Sequence, residues 1–386
     1  MSLAERLKWA REAMGLRLQD VFRRTEIGIS TLSDFENAVR EPRVWQLKRL
    51  AELYHRPLSF FLEEGPIPHQ PVICWRERPS SPQVEEIEAQ FLQLAEQYHR
   101  LEVLCQERQT EVSLPDWDIP PHEMTYPLVQ RLAQQFRSQS QLDSCPACEL
   151  LWVLEEVYQV KVFHLPFEPT GTAACAWGES FGPAILLNAR NVRWRRNFDL
   201  AHELFHLLTW KTFRGKLPQP GNKPSEQEER FATCFASNLL LPPELLQQTL
   251  EEEQRAGGFT IPAIYRIAQR FDVSMEAVIW QIRFLYRMSD DWASRCIQQC
   301  KYLKDFWENR ASDSPPRLPR RYEALAQKAL QQGLISIGVF AQYMDITRQE
   351  ALIWAEHLAE AQASSLEEFS TGETNSSGCK CDHQIT

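Results

Sequence analysis

The sequence predicts a mainly α-helical protein that carries a small β-sheet and is therefore α+β overall. Over most of the chain the apolar residues recur every three or four positions, as they do from Leu3 to Ala10, and this spacing marks one face of a helix. Three short apolar runs, VKVFHL, AACAWGE and AILLNA, follow one another between residues 160 and 189 and predict three strands. Proline-rich stretches at 63–71 and 113–121 interrupt these patterns and predict linkers.

The linkers and the changes in pattern divide the chain into five predicted regions. The first is a module of five short helices, the second is a linker with a long amphipathic helix, and the third holds the strands. A helical region follows, and then a tail rich in Ser, Thr and Gly that is predicted to be disordered. In order, the regions cover residues 1–66, 67–112, 113–252, 253–363 and 364–386.

Composition and charge restrict the class of protein. The 386 residues are 43% apolar, which is enough for buried cores, and the apolar runs are too short to span a bilayer. The N-terminal stretch has charges every few residues and no apolar signal core, so we expect a cytoplasmic protein with no membrane partner. The net charge is −10, yet residues 1–62 hold 11 Lys and Arg against 8 Asp and Glu, which is compatible with local DNA binding.

A heptad pattern runs through the long helix predicted at 83–105. Its apolar residues are separated by alternating steps of three and four and lie between polar residues. The pattern indicates either a coiled coil that forms a homodimer or a long helix that packs on its own domain, since three heptads are near the minimum for a coiled coil. This heptad seam consists of Val84, Ile87, Phe91, Leu94, Tyr98, Leu101 and Cys105.

The stretch FDLAHELFHLLTW, at 198–210, carries a His-Glu-x-x-His motif. His202 and His206 are four residues apart, so on a helix they lie on one face, where two imidazoles can reach one tetrahedral ion. Glu203 lies beside them, where its carboxylate can take a proton from water activated by that ion. The alternative is an amphipathic helix with two partly buried histidines and no metal.

A catalytic zinc site needs a third protein ligand. The next predicted helix, SEQEERFATCFASNLLLP, offers Glu229 near the edge of its apolar face, and the small Ala232 would let this helix pack closely on the motif helix. Glu226 and Glu228 are competing candidates, because acidic residues in a first turn also stabilise the helix dipole. Spacing alone leaves the choice among the three glutamates open.

The two stretches RRNFDLAHELFHLL and EERFATCFASNLLLP together resemble the ImmA/IrrE family of bacterial metallopeptidases. The resemblance implies a zincin-like metallopeptidase domain that binds Zn²⁺ through His202, His206 and Glu229. It implies that Glu203 is the general base and that the substrate is a protein, itself a helix-turn-helix repressor. It also places the strand AILLNA beside the site, where an extended substrate could pair with it.

Three residues depart from the family pattern. Thr233 stands where Asn or Asp is usual, Phe205 where many members have Gly, and Trp210 where a further His is frequent. None of the three replaces an implied ligand or base. We expect Phe205 to narrow the cleft and so to restrict the range of substrates.

The N-terminal stretch GLRLQDVFRRTEIGISTLSDFENAVREP resembles the Cro/C1-type (XRE) helix-turn-helix. In that fold the third helix enters the major groove of DNA and the second crosses the backbone. The resemblance implies a phosphate contact at the start of helix two, base-reading positions on helix three, and further phosphate contacts from arginines. The implied DNA-binding residues are Gln19, Gly28, Ile29, Ser30, Thr31, Asp34 and Arg40.

The residues at the base-reading positions leave a second interpretation of this module open. Gly28 and Ile29 offer no side-chain hydrogen bonds to base edges, and Asp34 would lie close to phosphates and repel them. The helix-turn-helix could therefore serve dimerisation or the docking of a partner protein instead of DNA binding. At the start of the third helix, Ser30 is predicted to act as the cap.

Two cysteine clusters stand apart from these motifs. Cys145 and Cys148 form a Cys-x-x-Cys pair at a predicted helix start, and in a reducing compartment we expect buried thiols rather than a redox or metal site. In the tail, Cys379, Cys381 and His383 form a short tract with weak potential for metal binding.

The sequence thus supports three functional hypotheses. The first is a cytoplasmic regulator that binds DNA and carries a zinc-dependent endopeptidase, which cleaves a helix-turn-helix repressor to control transcription. In the second, the peptidase-like domain of a regulator senses a ligand or a metal and cuts little or nothing. In the third, the chain is an antitoxin-like module that binds protein rather than DNA.

Overall fold

The computed structural model confirms a mainly α-helical, α+β protein. The chain divides into two compact units, one of Met1–Glu96 and Gln109–Pro319 and the other of Gln97–Arg108 and Arg320–Thr386. The structure describes residues 2–56, 58–62, 71–79, 83–107, 113–169, 172–215, 224–256, 258, 260–311 and 313–358, without the side chains of residues 59 and 302–311.

Five short helices form the N-terminal module, as predicted. Apolar residues on their inner faces, among them Leu7, Val21 and Phe35, share one core. The first helix begins with a capping box in which Ser2 and Glu5 bond each other's backbone N–H groups. The helices are α1 (Leu3–Ala13), α2 (Leu18–Thr25), α3 (Ile29–Glu36), α4 (Val44–Leu53) and α5 (Leu58–Leu62).

The turn between α2 and α3 differs from the prediction. Helix α3 begins at Ile29 with Gly28 in the N-cap position and no side-chain cap, so the predicted capping role of Ser30 is wrong. Ser30 already lies inside the helix, past the position from which a hydroxyl can cap. Glu26, which ends α2, has a left-handed backbone (φ 59°) that glycine adopts more readily.

Four strands form one sheet in the order β1-β3-β4-β2. Strand β1 pairs antiparallel with β3, β3 antiparallel with β4, and β4 parallel with β2. The three predicted strands are confirmed as β2, β3 and β4, whereas β1 was not predicted and lies where a linker was expected. The strands are β1 (Val72–Trp75), β2 (Lys161–Leu165), β3 (Ala174–Gly178) and β4 (Gly182–Asn188).

Strand β4, which contains AILLNA, lies in the interior of the sheet. It pairs with β3 on one side and with β2 on the other, so both of its backbone edges are used. The prediction that an extended substrate pairs with this strand is therefore wrong. The outer strands are β1 and β2, and the His164 N–H of β2 donates to the carbonyl of Arg317 (3.3 Å).

The long helix α6 (Val84–Leu104) buries its heptad seam within the chain. Every residue of the seam is at most 9% exposed. In the first unit, Phe91 packs edge-to-face on Phe163 of β2, with ring centroids 6.2 Å apart. In the second unit, Tyr98 packs in the same way on Tyr322 at 5.5 Å. The helix that packs on its own chain is confirmed, and the interpretation of this seam as a free coiled-coil face is wrong.

Helices make up most of the rest of the chain. In the first unit they are α7 (Tyr126–Gln139), α8 (Pro146–Trp152), α9 (Arg193–Leu208), α10 (Trp210–Arg214), α11 (Glu226–Leu240), α12 (Pro243–Ala256), α13 (Ile261–Phe271), α14 (Met275–Tyr286) and α15 (Asp290–Ala311). A 3-10 turn at Pro121–Glu123 precedes α7, and a π-helical turn at Val153–Val157 extends α8. Within the described part of the chain, none of the helices has the length and apolar character that a bilayer crossing needs.

The second unit ends in three helices, α16 (Arg320–Gln331), α17 (Ile337–Met344) and α18 (residues 348–358). The predicted capping box at the start of α18 is confirmed, because the Thr347 N–H donates to Glu350 Oε2 (2.7 Å) and the Glu350 N–H donates to Thr347 Oγ1 (3.2 Å).

Two helices that hold the predicted metal ligands pack against each other. Helix α9 lies on β3 and β4, and α11 lies on α9. Ala232 of α11 is fully buried, as the predicted close packing requires. Helix α11 ends at Leu240, just before the two prolines that were expected to stop it.

The cysteines follow the prediction only in part. Cys145 and Cys148 are joined by a disulfide at the start of α8, so the prediction of buried thiols is wrong for this pair. Cys148 is exposed and Cys145 is half-buried, so neither residue has the full burial that the prediction assumed. The thiols of Cys74 and Cys175 are free and buried, as expected. The Cys/His tract at 379–383 lies outside the described residues.

Candidate metal centre

The His-Glu-x-x-His motif lies near the C-terminal end of α9, in the most deeply buried part of the helix. His202, Glu203 and His206 are all 0% exposed. Their spacing sets the two imidazole rings on one face, with centroids 5.1 Å apart. Imidazole and carboxylate groups are buried at a cost in free energy unless they bond to a partner, so this arrangement requires partners nearby.

Glu229 of α11 completes a cluster of three potential ligands. Its Oε2 lies 3.0 Å from His202 Nε2, and its Oε1 lies 3.3 Å from His206 Nε2. One ligand atom from each of the three residues lies within 4.8 Å of the others. The competing Glu226 is exposed and outside this cluster. The structure therefore brings together the residues that the sequence predicted as ligands.

Glu228 is buried and contacts the other nitrogen of His206. His206 Nδ1 lies 2.7 Å from Glu228 Oε1, and Arg214 Nη2 donates to the same oxygen at 2.7 Å. When His206 donates from Nδ1, its Nε2 lone pair is directed at the cluster. The sequence indicated Glu228 only as a rival ligand, and no motif marked Arg214, which reaches the site from α10.

The polar atoms of the cluster fit a bound divalent ion. Among the described residues, His206 Nε2, Glu229 Oε1 and both carboxylate oxygens of Glu203 are buried and make no hydrogen bond. Buried polar atoms without partners are rare in proteins, and a metal ion is one partner that accounts for His206 Nε2 and Glu229 Oε1. Two imidazole nitrogens and one carboxylate form a known ligand set of catalytic zinc sites that keep a fourth position open.

Burial and mutual contacts shift the pKa values of these groups in different directions. Burial raises the pKa of Glu203 to about 8 and lowers the pKa of His202 to about 3. Burial also acts to raise the pKa of Glu229, but the contacts with His202 and His206 outweigh it and lower this pKa to about 2. Against the effect of burial, Glu228 and Glu229 raise the pKa of His206 well above its usual value. In the site without an ion, Glu203 is thus the carboxyl whose pKa burial raises most.

Family comparisons agree with this geometry. Residues 155–282 match the family model of the IrrE N-terminal-like domain. The chain carries an ImmA/IrrE-type, metallopeptidase-like domain. Residues 2–59 match the model of a helix-turn-helix domain, so the two domains are joined in one chain, as the sequence predicted. A search of curated proteins finds no match.

Strand β1, which lies outside the matched residues, reaches the candidate metal centre of the IrrE-type domain. Cys74 Sγ accepts a hydrogen bond from Arg214 Nη2 (2.9 Å). Just after the strand, Arg76 donates to Asp199 of α9 (3.3 Å) and lies over the ring of Phe198 (5.6 Å to the centroid). The only signal of this strand in the sequence was the four-residue apolar run VICW, which is too short to separate from a linker.

Two of the three residues that depart from the family pattern are buried in the core. Phe205 is fully buried, and its ring centroid lies 5.6 Å from that of Phe235 in the core. The expectation that Phe205 narrows the cleft is therefore wrong. Trp210 is also buried, with the Arg214 guanidinium over its ring at 5.1 Å, and Thr233 is exposed on α11.

The predicted DNA contacts of the helix-turn-helix domain are spread over exposed and half-buried positions. Several of its cations are paired with carboxylates, such as Arg24 with Glu86 (3.9 Å) and Arg49 with Glu26 (3.8 Å). In the part of the chain that is described, Arg40 makes no such ion pair. Gln19, Gly28, Ile29, Ser30 and Arg40 are exposed, and Thr31 and Asp34 are half-buried.

Proposed function

We propose that the chain is a transcription regulator in which residues 1–66 bind DNA and residues 113–252 form a zinc-dependent endopeptidase. The observation that carries this proposal is the convergence of His202, His206 and Glu229 beside the buried Glu203. A helix that merely carries two histidines has no need of a third ligand and a base around the same point.

The residues of the site divide into ligands and an acid–base group. His202, His206 and Glu229 would hold Zn²⁺. When bound, zinc polarises the scissile carbonyl and makes water a better nucleophile at neutral pH. Glu203 would accept the proton of the attacking water and pass it to the leaving amine. Without an ion, burial raises the pKa of Glu203 to about 8, and the charge of a bound Zn²⁺ would lower it towards the range in which the carboxylate can accept a proton.

Two further residues would position the site without touching the substrate. Glu228 holds His206 through Nδ1, so that Nε2 is left for the metal. Arg214, whose side chain is 2% exposed, provides the cation that offsets the buried charge of Glu228. Together they would fix the tautomer and the direction of one ligand.

The proposed substrate is a helix-turn-helix repressor, whose cleavage would release the genes that it controls. The support for this class of substrate is the likeness of residues 155–282 to the IrrE N-terminal-like domain and the presence of a helix-turn-helix domain in the same chain. The protein would act in the cytoplasm, where DNA and repressor are found. A palindromic operator would require it to bind as a homodimer.

Metal content and cleavage together test the proposal. Purified wild type, Glu203→Gln, Glu229→Gln and the control Glu226→Gln are analysed for bound metal and incubated with helix-turn-helix repressors encoded in the same genome. We expect metal in all except Glu229→Gln, and cleavage only by wild type and Glu226→Gln, because Glu226 is exposed and outside the cluster. If none of the four proteins binds metal, the motif is a helix with two histidines and the enzyme proposal is withdrawn.

A regulator that senses a metal without cutting is the second candidate. The complete burial of His202, Glu203 and His206 favours it, because a sensing site needs no access for a peptide. Metal in wild type and Glu203→Gln, with no cleavage of any repressor, would support this candidate. A mobility shift on the DNA upstream of the protein's own gene separates both candidates from the antitoxin-like hypothesis, which predicts no specific DNA binding.

A further inference from the structure

The outer edge of β3 is occupied by a segment that comes from far away in the sequence. Strand β3 pairs with β4 along one edge and with β1 along the other, and helices α6 to α8 and strand β2 separate β1 from β3 in the chain. The antiparallel register sets Cys74 opposite Cys175 and Ile73 opposite Ala176. Without β1, the edge of β3 would be open.

The pairing continues beyond the end of β1. The Arg76 N–H donates to the carbonyl of Ala173 (3.3 Å). The Thr172 hydroxyl donates to the carbonyl of Glu77 (2.8 Å) and accepts from the Glu77 N–H (3.3 Å). Residues 72–75 therefore lie extended along β3, in the way that a bound peptide lies along a sheet edge, and the chain bends at Arg76 and Glu77 while it stays bonded to the residues before β3.

This segment runs beside the proposed active site. Helix α9, which carries the motif, packs directly on β3. From the segment, Cys74 contacts Arg214, the same guanidinium that bonds Glu228. Arg76 contacts Asp199 of α9, three residues before His202. A peptide bound at the edge of β3 would have to take the place that residues 72–77 hold.

Enzymes and binding domains often take up an extended peptide by adding it to an exposed sheet edge through main-chain hydrogen bonds. We infer that the outer edge of β3 is the edge that binds an extended peptide substrate, and that residues 72–77 occupy it as an intramolecular competitor. In this closed form the chain does not admit substrate. The inference rests on the proposed peptidase function and adds to it a form of regulation.

The main-chain pairing of β1 with β3 is short, but its side chains are well held. Val72, Cys74 and Trp75 are at most 8% exposed. Trp75 Nε1 donates to Glu88 Oε1 (2.7 Å). The strand has four residues, so a substrate peptide that replaced it would have to cover the same part of the core as well as the same backbone edge. Glu77 and Arg78, which follow it, are exposed. A substrate peptide would form the same main-chain bonds with β3, so replacement of β1 would depend mainly on the concentration and fit of that peptide.

The pattern of main-chain bonds shows which N–H groups hold β1 in place. In an antiparallel pair, facing residues alternate between hydrogen-bonded and non-hydrogen-bonded positions. Because Arg76 and Ala173 face each other and are hydrogen-bonded, Cys74 and Cys175 are hydrogen-bonded as well, and the Ile73 N–H points away from β3. Proline at position 74 therefore removes a bond of the ladder, whereas proline at 73 does not.

Binding of a peptide copy of the segment tests the inference without any need for catalysis. The probe is a fluorescein-labelled peptide with the sequence of residues 71–78 and serine in place of Cys74. The protein is the full chain with Glu203→Gln, alone or with Cys74→Pro, Ile73→Pro or Cys74→Ala. Fluorescence anisotropy should show binding at least about tenfold tighter to Cys74→Pro than to the parent, because the edge is freed. The two controls should bind like the parent.

A disulfide across β1 and β3 tests the same inference in the opposite direction. Ile73 and Ala176 face each other at a non-hydrogen-bonded position, on the other face of the sheet from Cys74 and Arg214. The double variant Ile73→Cys/Ala176→Cys, with Cys74→Ala, is oxidised to lock the segment closed. We expect the oxidised form to bind no peptide and cleave no repressor, and reduction to restore the behaviour of the parent.

The outcomes separate this inference from the proposed function. A locked form that still binds the peptide, or a folded Cys74→Pro variant with no gain in binding, overturns the inference. Cleavage of the chain within 72–77 after zinc loading also overturns it, because the segment would then be a substrate. If Cys74→Pro gains peptide binding but no variant cleaves a repressor, the assignment of the β3 edge as a peptide-binding edge stands. Only the proposed peptidase function is then rejected.

Discussion

A single oxygen of Glu228 contacts His206 and Arg214 at once, so one carboxylate directs a ligand and is itself held by a cation. For Glu228→Gln we expect the affinity for Zn²⁺ to fall about 10- to 100-fold, because the amide has no charge to support the imidazole and the orientation of His206 is lost. Competition with a chromophoric chelator measures this affinity.

The matched control for this change lies two residues away on α11. Glu226→Gln removes the same charge from an exposed side chain and should leave the zinc affinity unchanged. Since loss of the Glu228 charge also removes the carboxylate that pairs with the buried Arg214, thermal unfolding is recorded for each variant to separate misfolding from weak binding. An unaltered zinc affinity in a folded Glu228→Gln protein would show that Glu228 only packs against His206.

At the scale of elements, the turn between α2 and α3 carries strain at Glu26. A residue with a side chain costs about 1 kcal/mol in the left-handed region, and glycine avoids this cost. We therefore expect Glu26→Gly to raise the free energy of local opening of α2 and α3 by roughly 1 kcal/mol, as measured by hydrogen exchange of their amides. Glu26→Ala removes the contact with Arg49 but keeps the strain, so equal protection in the two variants would argue against this explanation.

Local patterns predicted most of the elements, because a helical period, a proline stop or a capping box is set by neighbours in the sequence. Strand β1 escaped prediction since it has four residues and pairs with β3 only after the chain has folded. Because strand pairing is not visible in the sequence, AILLNA was expected to be able to pair with a substrate. In the sheet, β3 and β2 occupy both edges of this strand.

The part of the candidate site that depends on residue spacing within one helix could be predicted from the sequence. The motif identified His202, Glu203 and His206, while the choice of Glu229 among three glutamates came from a family resemblance. The contact between Glu228 and Arg214 could not be predicted, because it depends on how α10 and α11 pack. Likewise, a pattern of apolar residues in α6 does not tell whether the surface that covers them belongs to the same chain or to another copy.

At the scale of the whole molecule, His164 links stability to pH. Burial, with help from the Arg196 guanidinium, lowers the pKa of His164 to about 4, against 6.5 in an unfolded chain. Between these values the unfolded chain binds a proton that the folded chain does not. The free energy of unfolding should therefore fall as the pH decreases from 6.5 towards 4, by up to about 1.4 kcal/mol per pH unit from this residue.

Urea unfolding at pH 7 and pH 5 measures this dependence. His164→Asn keeps a donor near the carbonyl of Pro316, which His164 Nδ1 contacts at 3.0 Å, and removes the titration. Its loss of stability between the two pH values should be smaller than that of the wild type. His122→Asn is the control, because His122 is exposed and its replacement should leave the dependence unchanged. An equal loss of unfolding free energy between pH 7 and pH 5 in wild type and His164→Asn would contradict the prediction.

The burial of the motif has a consequence for how the protein would acquire its ion. His202 and His206 have no exposed surface, and among the three proposed ligands only Glu229, with 23% of its side chain exposed, borders solvent. An ion would therefore enter and leave on the side of Glu229, and we expect it to exchange more slowly than at an open surface site, because two of its three ligands are covered.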